Sequence, residues 1–149
     1  MPLLLILDRI TKIFFVEPGC FFLFCIKPST NMGASFGLLN GWLVLLILIA
    51  IAVLVVIIFI YFFSKAKLNK AMLIALIFLF SGTLGNLIDR IFYGYVLDWL
   101  TFNFTFPAFN LADIFNTTGV IILVIELIKP DIKQKTENKT KNKTKKDRT

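Results

Sequence analysis

Asp98 and Asp113 are the residues of this chain best suited to chemistry. They stand fifteen positions apart in "YVLDWLTFNFTFPAFNLADIF", flanked by apolar residues and with no basic residue near either. Two carboxylates that converge in a low-dielectric site cannot both ionise easily. One keeps its proton, and the pair can then act as base and acid toward a water and a peptide carbonyl. Such a dyad titrates as a unit. The chain has no His, which excludes Ser-His-Asp and Cys-His catalysis and any His-bearing zinc site. Neither a metal nor a cofactor is expected.

The other acids outside the C-terminal tail have simpler explanations. Asp8 has Lys12 at i+4, a same-face pair on a helix. Asp89 abuts Arg90, although neighbours at i,i+1 do not face each other. Glu17 and Glu126 lie near the ends of apolar segments, where a solvated acid is ordinary. A plain alternative also exists for the two aspartates: Asp113 caps the last helix and Asp98 faces water. The residues alone leave both readings open.

The elements that must position these acids belong to a membrane. Of 149 residues, 58% are hydrophobic, above the range of soluble domains. Trp42 to Phe63 is uncharged over 22 residues and ends in Tyr61-Phe62-Phe63, as an interfacial aromatic belt would. Ala71 to Ile88 is uncharged over 18, and Ile114 to Ile128 is shorter. A first span over 2–16 contains Asp8, Arg9 and Lys12 and is short: residues 3–16 cover about 21 Å. Either that helix is thin-fitting or residues precede Met1. It lacks the basic start and cleavage site of a signal peptide.

The expectation is a mainly α membrane protein. A single membrane-embedded domain occupies 1–128, with four helices at about 2–16, 42–63, 71–88 and 113–128. The longer connections are 17–41 and 89–112. The tail, 129–149, carries +6 of the formal net charge of +7, so the basic balance describes a tail and not a nucleic-acid surface. With nothing apolar to bury, that tail is expected to be disordered. Its charge, with Lys65, Lys67 and Lys70, places both termini in the cytoplasm and both longer connections, with Asp98 and Asp113, on the outer face.

"LTFNFTF" alternates Leu100, Phe102, Phe104 and Phe106 with Thr101, Asn103 and Thr105, which predicts a half-buried strand resting its Phe face on acyl chains. "IKPSTNMGASFGLL", with Pro28, Gly33 and Gly37, is a candidate partner, and Pro107 ends the strand before "AFNLAD". Asn31, Asn86 and Asn110 stand at helix–loop junctions, where caps and turns are their usual roles; convergence on the acids would let them orient a carboxylate. Arg90 is either an interfacial cation contacting lipid phosphate or Asp89, or it fixes an active-site loop or an anionic headgroup. Gly82 and Gly85 suit close helix packing. Cys20 and Cys25 are expected as buried small hydrophobes. A small transporter with proton-relaying acids, and a two-carboxylate glycosidase, compete with the peptidase reading.

"LDRITK", "NMGASFG", "GTLGNLIDRIFYGYVLDWLTF" and "FPAFNLADIFNTTGV" together resemble the ordered motifs of the bacterial lipoprotein signal peptidases, signal peptidase II. The likeness runs from Asp8 to about Val120. It implies a four-helix inner-membrane aspartyl endopeptidase with an extracytoplasmic β-cradle and an interfacial half-helix. The implied substrate is a prolipoprotein, cut just before a diacylglyceryl-modified cysteine, and the implied inhibitor is the cyclic peptide globomycin. By motif matching the dyad falls on Asp98 and Asp113. Asp8, Lys12, Asn31, Gly82, Asn86, Arg90, Asn110 and Ala112 fall on supporting positions. Ser81 and "GASFG" depart from the family pattern, small residue for small.

Overall fold

The computed structural model describes residues 2–33, 39, 41–64, 68–102 and 107–146, with side chains up to residue 129. Four helices and one small sheet alternate along the chain: α1 (Pro2–Phe14), β1 (Gly19–Phe21), β2 (Phe24–Asn31), α2 (Leu43–Ser64), α3 (Lys70–Tyr93), β3 (Val96–Phe102) and α4 (Leu111–Lys146). Among the described residues three helical segments are long and apolar enough to cross a membrane: Leu43–Ser64, Lys70–Tyr93 and Leu111–Lys129. The 13 residues of α1 span about 20 Å, short of the ~30 Å of a hydrocarbon core.

α3 is the hub against which the other three helices pack. Asn69 caps its start, accepting from the Met72 N–H at 2.9 Å. Gly94 ends it in the left-handed conformation, φ +77°, with its N–H donating to the Arg90 carbonyl. The helix therefore continues through Arg90 and Tyr93, where the sequence suggested a loop from residue 89. Small residues let α4 approach closely. A Cβ at Gly82 would collide with the Ala112 carbonyl, and one at Gly119 would stand 2.7 Å from Leu79 Cγ. A small apolar core of Ala50, Leu54 and Leu87 joins α2 to α3.

The sheet is antiparallel in the order β1-β2-β3. β2 opposes Asn31 to Val96 and Ser29 to Asp98, and its register shifts between Ile26 and Ser29. Pro28 lies in that shift; it has no N–H for the ladder, so an irregularity is its natural place. The strand expected over 100–106 thus begins earlier, at Val96, and holds Asp98 within it. Residues 103–106, and with them Asn103 to Phe106, lie outside the described residues, as do Gly37, Lys65 and Lys67. The chain returns at Phe109, whose N–H and carbonyl both bond Leu100.

Two expectations, for the cysteines and for the face of β3, change. Cys20 and Cys25 are joined in a disulfide, not two free thiols, because the β1–β2 hairpin places them opposite each other in register. The helical backbone of α4 runs on to Lys146; Lys, Glu and Gln are good helix formers even without an apolar face. Val96, Asp98, Leu100 and Phe102, one face of β3 by the period of two, all line one cavity. The apolar face of the strand therefore looks into the space beside Asp98.

Candidate active site

Asp98 and Asp113 arrive from different elements, β3 and the first turn of α4, and meet at one cavity of about 710 Å³. That volume lies within the range of ligand pockets. Its polar wall holds Asn31, Asn86 and Arg90, and its apolar wall includes Phe24, Phe102 and Phe109 with Ile49 and Val53 of α2.

Hydrogen bonds fix both acids. Asp98 accepts from the Asn31 amide at 2.9 Å on one oxygen and from the Asn110 amide at 2.6 Å on the other. Asp113 accepts from the Asn86 amide at 2.8 Å and from the Asn110 backbone N–H at 3.1 Å. Asn110 in turn accepts from the Asp113 N–H at 3.0 Å. This is a reciprocal capping box at the start of α4. The cap reading of Asp113 is thus correct, and it does not compete with a place in the site: the cap aims the carboxylate. Burial pushes the Asp98 carboxyl up to about 6, and the charge of Asp113 adds to the effect, against the lowering influence of the Asn31 and Asn110 donors.

A second layer holds the asparagines. Lys12 donates to the Asn86 side-chain carbonyl at 3.2 Å and to Asp89 at 2.7 Å, and pairs with Asp8 at 3.1 Å. Asp8 accepts from the Ala112 N–H at 3.0 Å, tying α1 to the first turn of α4. Arg90 donates to the Gly33 carbonyl at 2.7 Å, so it holds the segment after β2. A Cβ at Gly85 would stand 2.9 Å from the Asp8 carboxylate. All ten residues singled out from the sequence therefore gather at or directly behind the cavity.

Two contributors escaped the sequence. Asp89 is buried and, besides Lys12, pairs with Arg9, which also meets Asp8 at 2.5 Å and the Gly85 carbonyl at 2.9 Å. The visible signal was a polar trio in each of two apolar helices: Asp8, Arg9 and Lys12 in α1, and Asn86, Asp89 and Arg90 in α3. Local spacing does not show that the two trios face each other. Among the described residues no group of three or more His, Cys, Asp or Glu is arranged to hold a metal.

A bundle of membrane-length helices that gathers a buried and a half-buried carboxylate beside a small sheet is the architecture of a membrane enzyme. Two solved structures share it, each described as a bacterial membrane enzyme determined by the in meso method. One aligns with a TM-score of 0.79 at 32% identity over 86% of this chain and 84% of its own; the other with 0.75 at 33% over 86% and 89%. The family profile described as signal peptidase (SPase) II matches residues 1–129. Similar curated proteins are lipoprotein signal peptidases. That of Staphylococcus epidermidis is 44% identical over 72% of this chain and 68% of its own length, and that of Clostridium tetani 36% over 85% and 88%. The chain belongs to the signal peptidase II family, and is a peptidase of the membrane.

Proposed function

We propose that Asp98 and Asp113 are the catalytic pair of this peptidase. As a member of its family the chain cleaves signal peptides from prolipoproteins. The observation that carries the assignment is the shared, fully buried donor Asn110, which bonds both of the acids that line one cavity. The pair works when it holds one proton. The ionised carboxylate takes a proton from a water, whose oxygen attacks the scissile carbonyl carbon, while the protonated partner donates to the carbonyl oxygen. Collapse of the tetrahedral intermediate breaks the C–N bond, and a carboxyl proton passes to the leaving amine. Arg90 and Asn31 hold the rim of the site, and Lys12, Asp8 and Asp89 hold Asn86 and the start of α4.

The bond cut is the one preceding a diacylglyceryl-modified cysteine. The apolar wall of Phe24, Phe102, Phe109, Ile49 and Val53 supports this reading, since a lipidated substrate brings acyl chains to the site. α1 completes a four-helix bundle, the sheet forms a cradle on the periplasmic side of the inner membrane, and both termini are cytoplasmic. Lys70 and the basic tail at the opposite end support that orientation. Globomycin occupies the same cavity. Incubating the reconstituted protein with a diacylglyceryl-prolipoprotein tests the assignment. Wild type should release the signal peptide, globomycin should stop it, and Asp98→Asn and Asp113→Asn should each abolish it in a folded protein. An unmodified prolipoprotein processed as fast as the lipidated one would contradict the substrate class.

A further inference from the structure

We propose that the disulfide-closed loop Cys20–Cys25 is a lipid-inserting anchor that seats the sheet on the membrane surface. The loop reads Cys-Phe-Phe-Leu-Phe-Cys. Its ends are joined covalently, and Phe21 opposes Phe24 across a Phe22-Leu23 turn. Phe21 is 85% exposed and Phe22 89%, with Leu23 at 53%. Phe22 takes φ +55°, a left-handed conformation costly for a bulky residue. The disulfide holds a turn that this sequence would not favour alone, and keeps its apolar side chains displayed rather than collapsed.

The occupant is lipid, and three observations point there. β1 follows directly from α1, whose Ile10, Ile13 and Phe14 are exposed, and Val16 continues that apolar surface toward Gly19. At the same end of the molecule the membrane-length helix α3 finishes in exposed Phe92 and Tyr93, an interfacial aromatic pair, three residues before β3 enters the sheet. The sheet therefore lies at the bilayer boundary. Finally, the loop has no polar group of the kind that rims a protein interface. The exposed cation Lys27, two residues past Cys25, is suited to lipid phosphate. The anchor has a mechanical consequence: β2 runs from this loop to Asn31, the donor to Asp98. A rigid, pre-organised loop fixes one end of the strand whose other end fixes the acid.

Tryptophan fluorescence in the full-length protein, reconstituted in phosphatidylcholine/phosphatidylglycerol vesicles, reads this directly. In a Trp42→Phe background, Phe21→Trp adds one emitter at the loop. Lipids brominated in the upper acyl chain should quench the added emission about twofold or more, as for residues of the aromatic belt, and aqueous iodide should barely affect it. Quenching by iodide without quenching by brominated lipid overturns the proposal. So does protection from both quenchers, which would mean that protein covers the loop. Reduction of the disulfide, or paired Cys20→Ser and Cys25→Ser substitutions, should lower the quenching by lipid; unchanged quenching would overturn the part given to the disulfide. The measurement reads lipid contact alone and stands whether or not Asp98 and Asp113 carry the chemistry.

Discussion

Asn110 bonds Asp98 through its side-chain amide and Asp113 through its backbone N–H, and it also caps α4. Asn110→Ala should therefore do two separable things. It should cost about 1 kcal/mol of stability for the lost cap, measurable by thermal denaturation in detergent. It should also lower kcat well beyond what that loss explains. Asn31 offers a sharper test because its effect has a sign. Its amide favours the ionised form of Asp98, whose carboxyl sits at about 6. A dyad that needs one proton loses activity as pH rises through the upper titration of the pair. The upper limb of kcat/KM, which reports the free enzyme, should fall near pH 6 in wild type. In Asn31→Ala, with a donor to the charged form removed, that limb should move to higher pH. A move to lower pH would contradict the placement of Asn31.

Helix approach sets the site at the next scale. Gly82→Ala places a methyl group against the Ala112 carbonyl and the Asn116 side chain. A backbone carbonyl cannot swing aside, so α4 must shift, at about 1–3 kcal/mol. Asp113 stands one residue past Ala112 and moves with it, so kcat should drop together with the melting temperature. Lys12→Met should cost more, about 3–5 kcal/mol, since it leaves Asp8 and Asp89 buried with only Arg9 for charge balance. These elements also show what the sequence could reveal. The long apolar runs over 42–63 and 71–88 were legible because burial in lipid demands them. Motif order and charge placement suggested that the ten candidate residues would lie near one another. The partnership of Arg9 with Asp89 was hidden, because it joins two helices 80 positions apart. The Cys20–Cys25 bond was hidden for a related reason: five residues fit a helix turn or a hairpin, and only the sheet decides. The face of β3 was misassigned because alternation gives two faces without saying which one meets the acid.

For the whole molecule, charge asymmetry and site position support one proposed orientation, with the tail at one face of the membrane and the acids at the other. An epitope placed after Thr149 should be digested by protease in inverted membrane vesicles and protected in intact spheroplasts. The opposite pattern would overturn the orientation. All of these expectations converge on whether two carboxylates in one cavity perform the hydrolysis. The direct measurement is the rate of signal-peptide release from a diacylglyceryl-prolipoprotein by Asp113→Asn, with its melting profile recorded alongside. A general acid–base role predicts a loss of about 10²–10⁴-fold or more in a protein that melts close to wild type. A folded Asp113→Asn protein that still cleaves at the wild-type rate would contradict it.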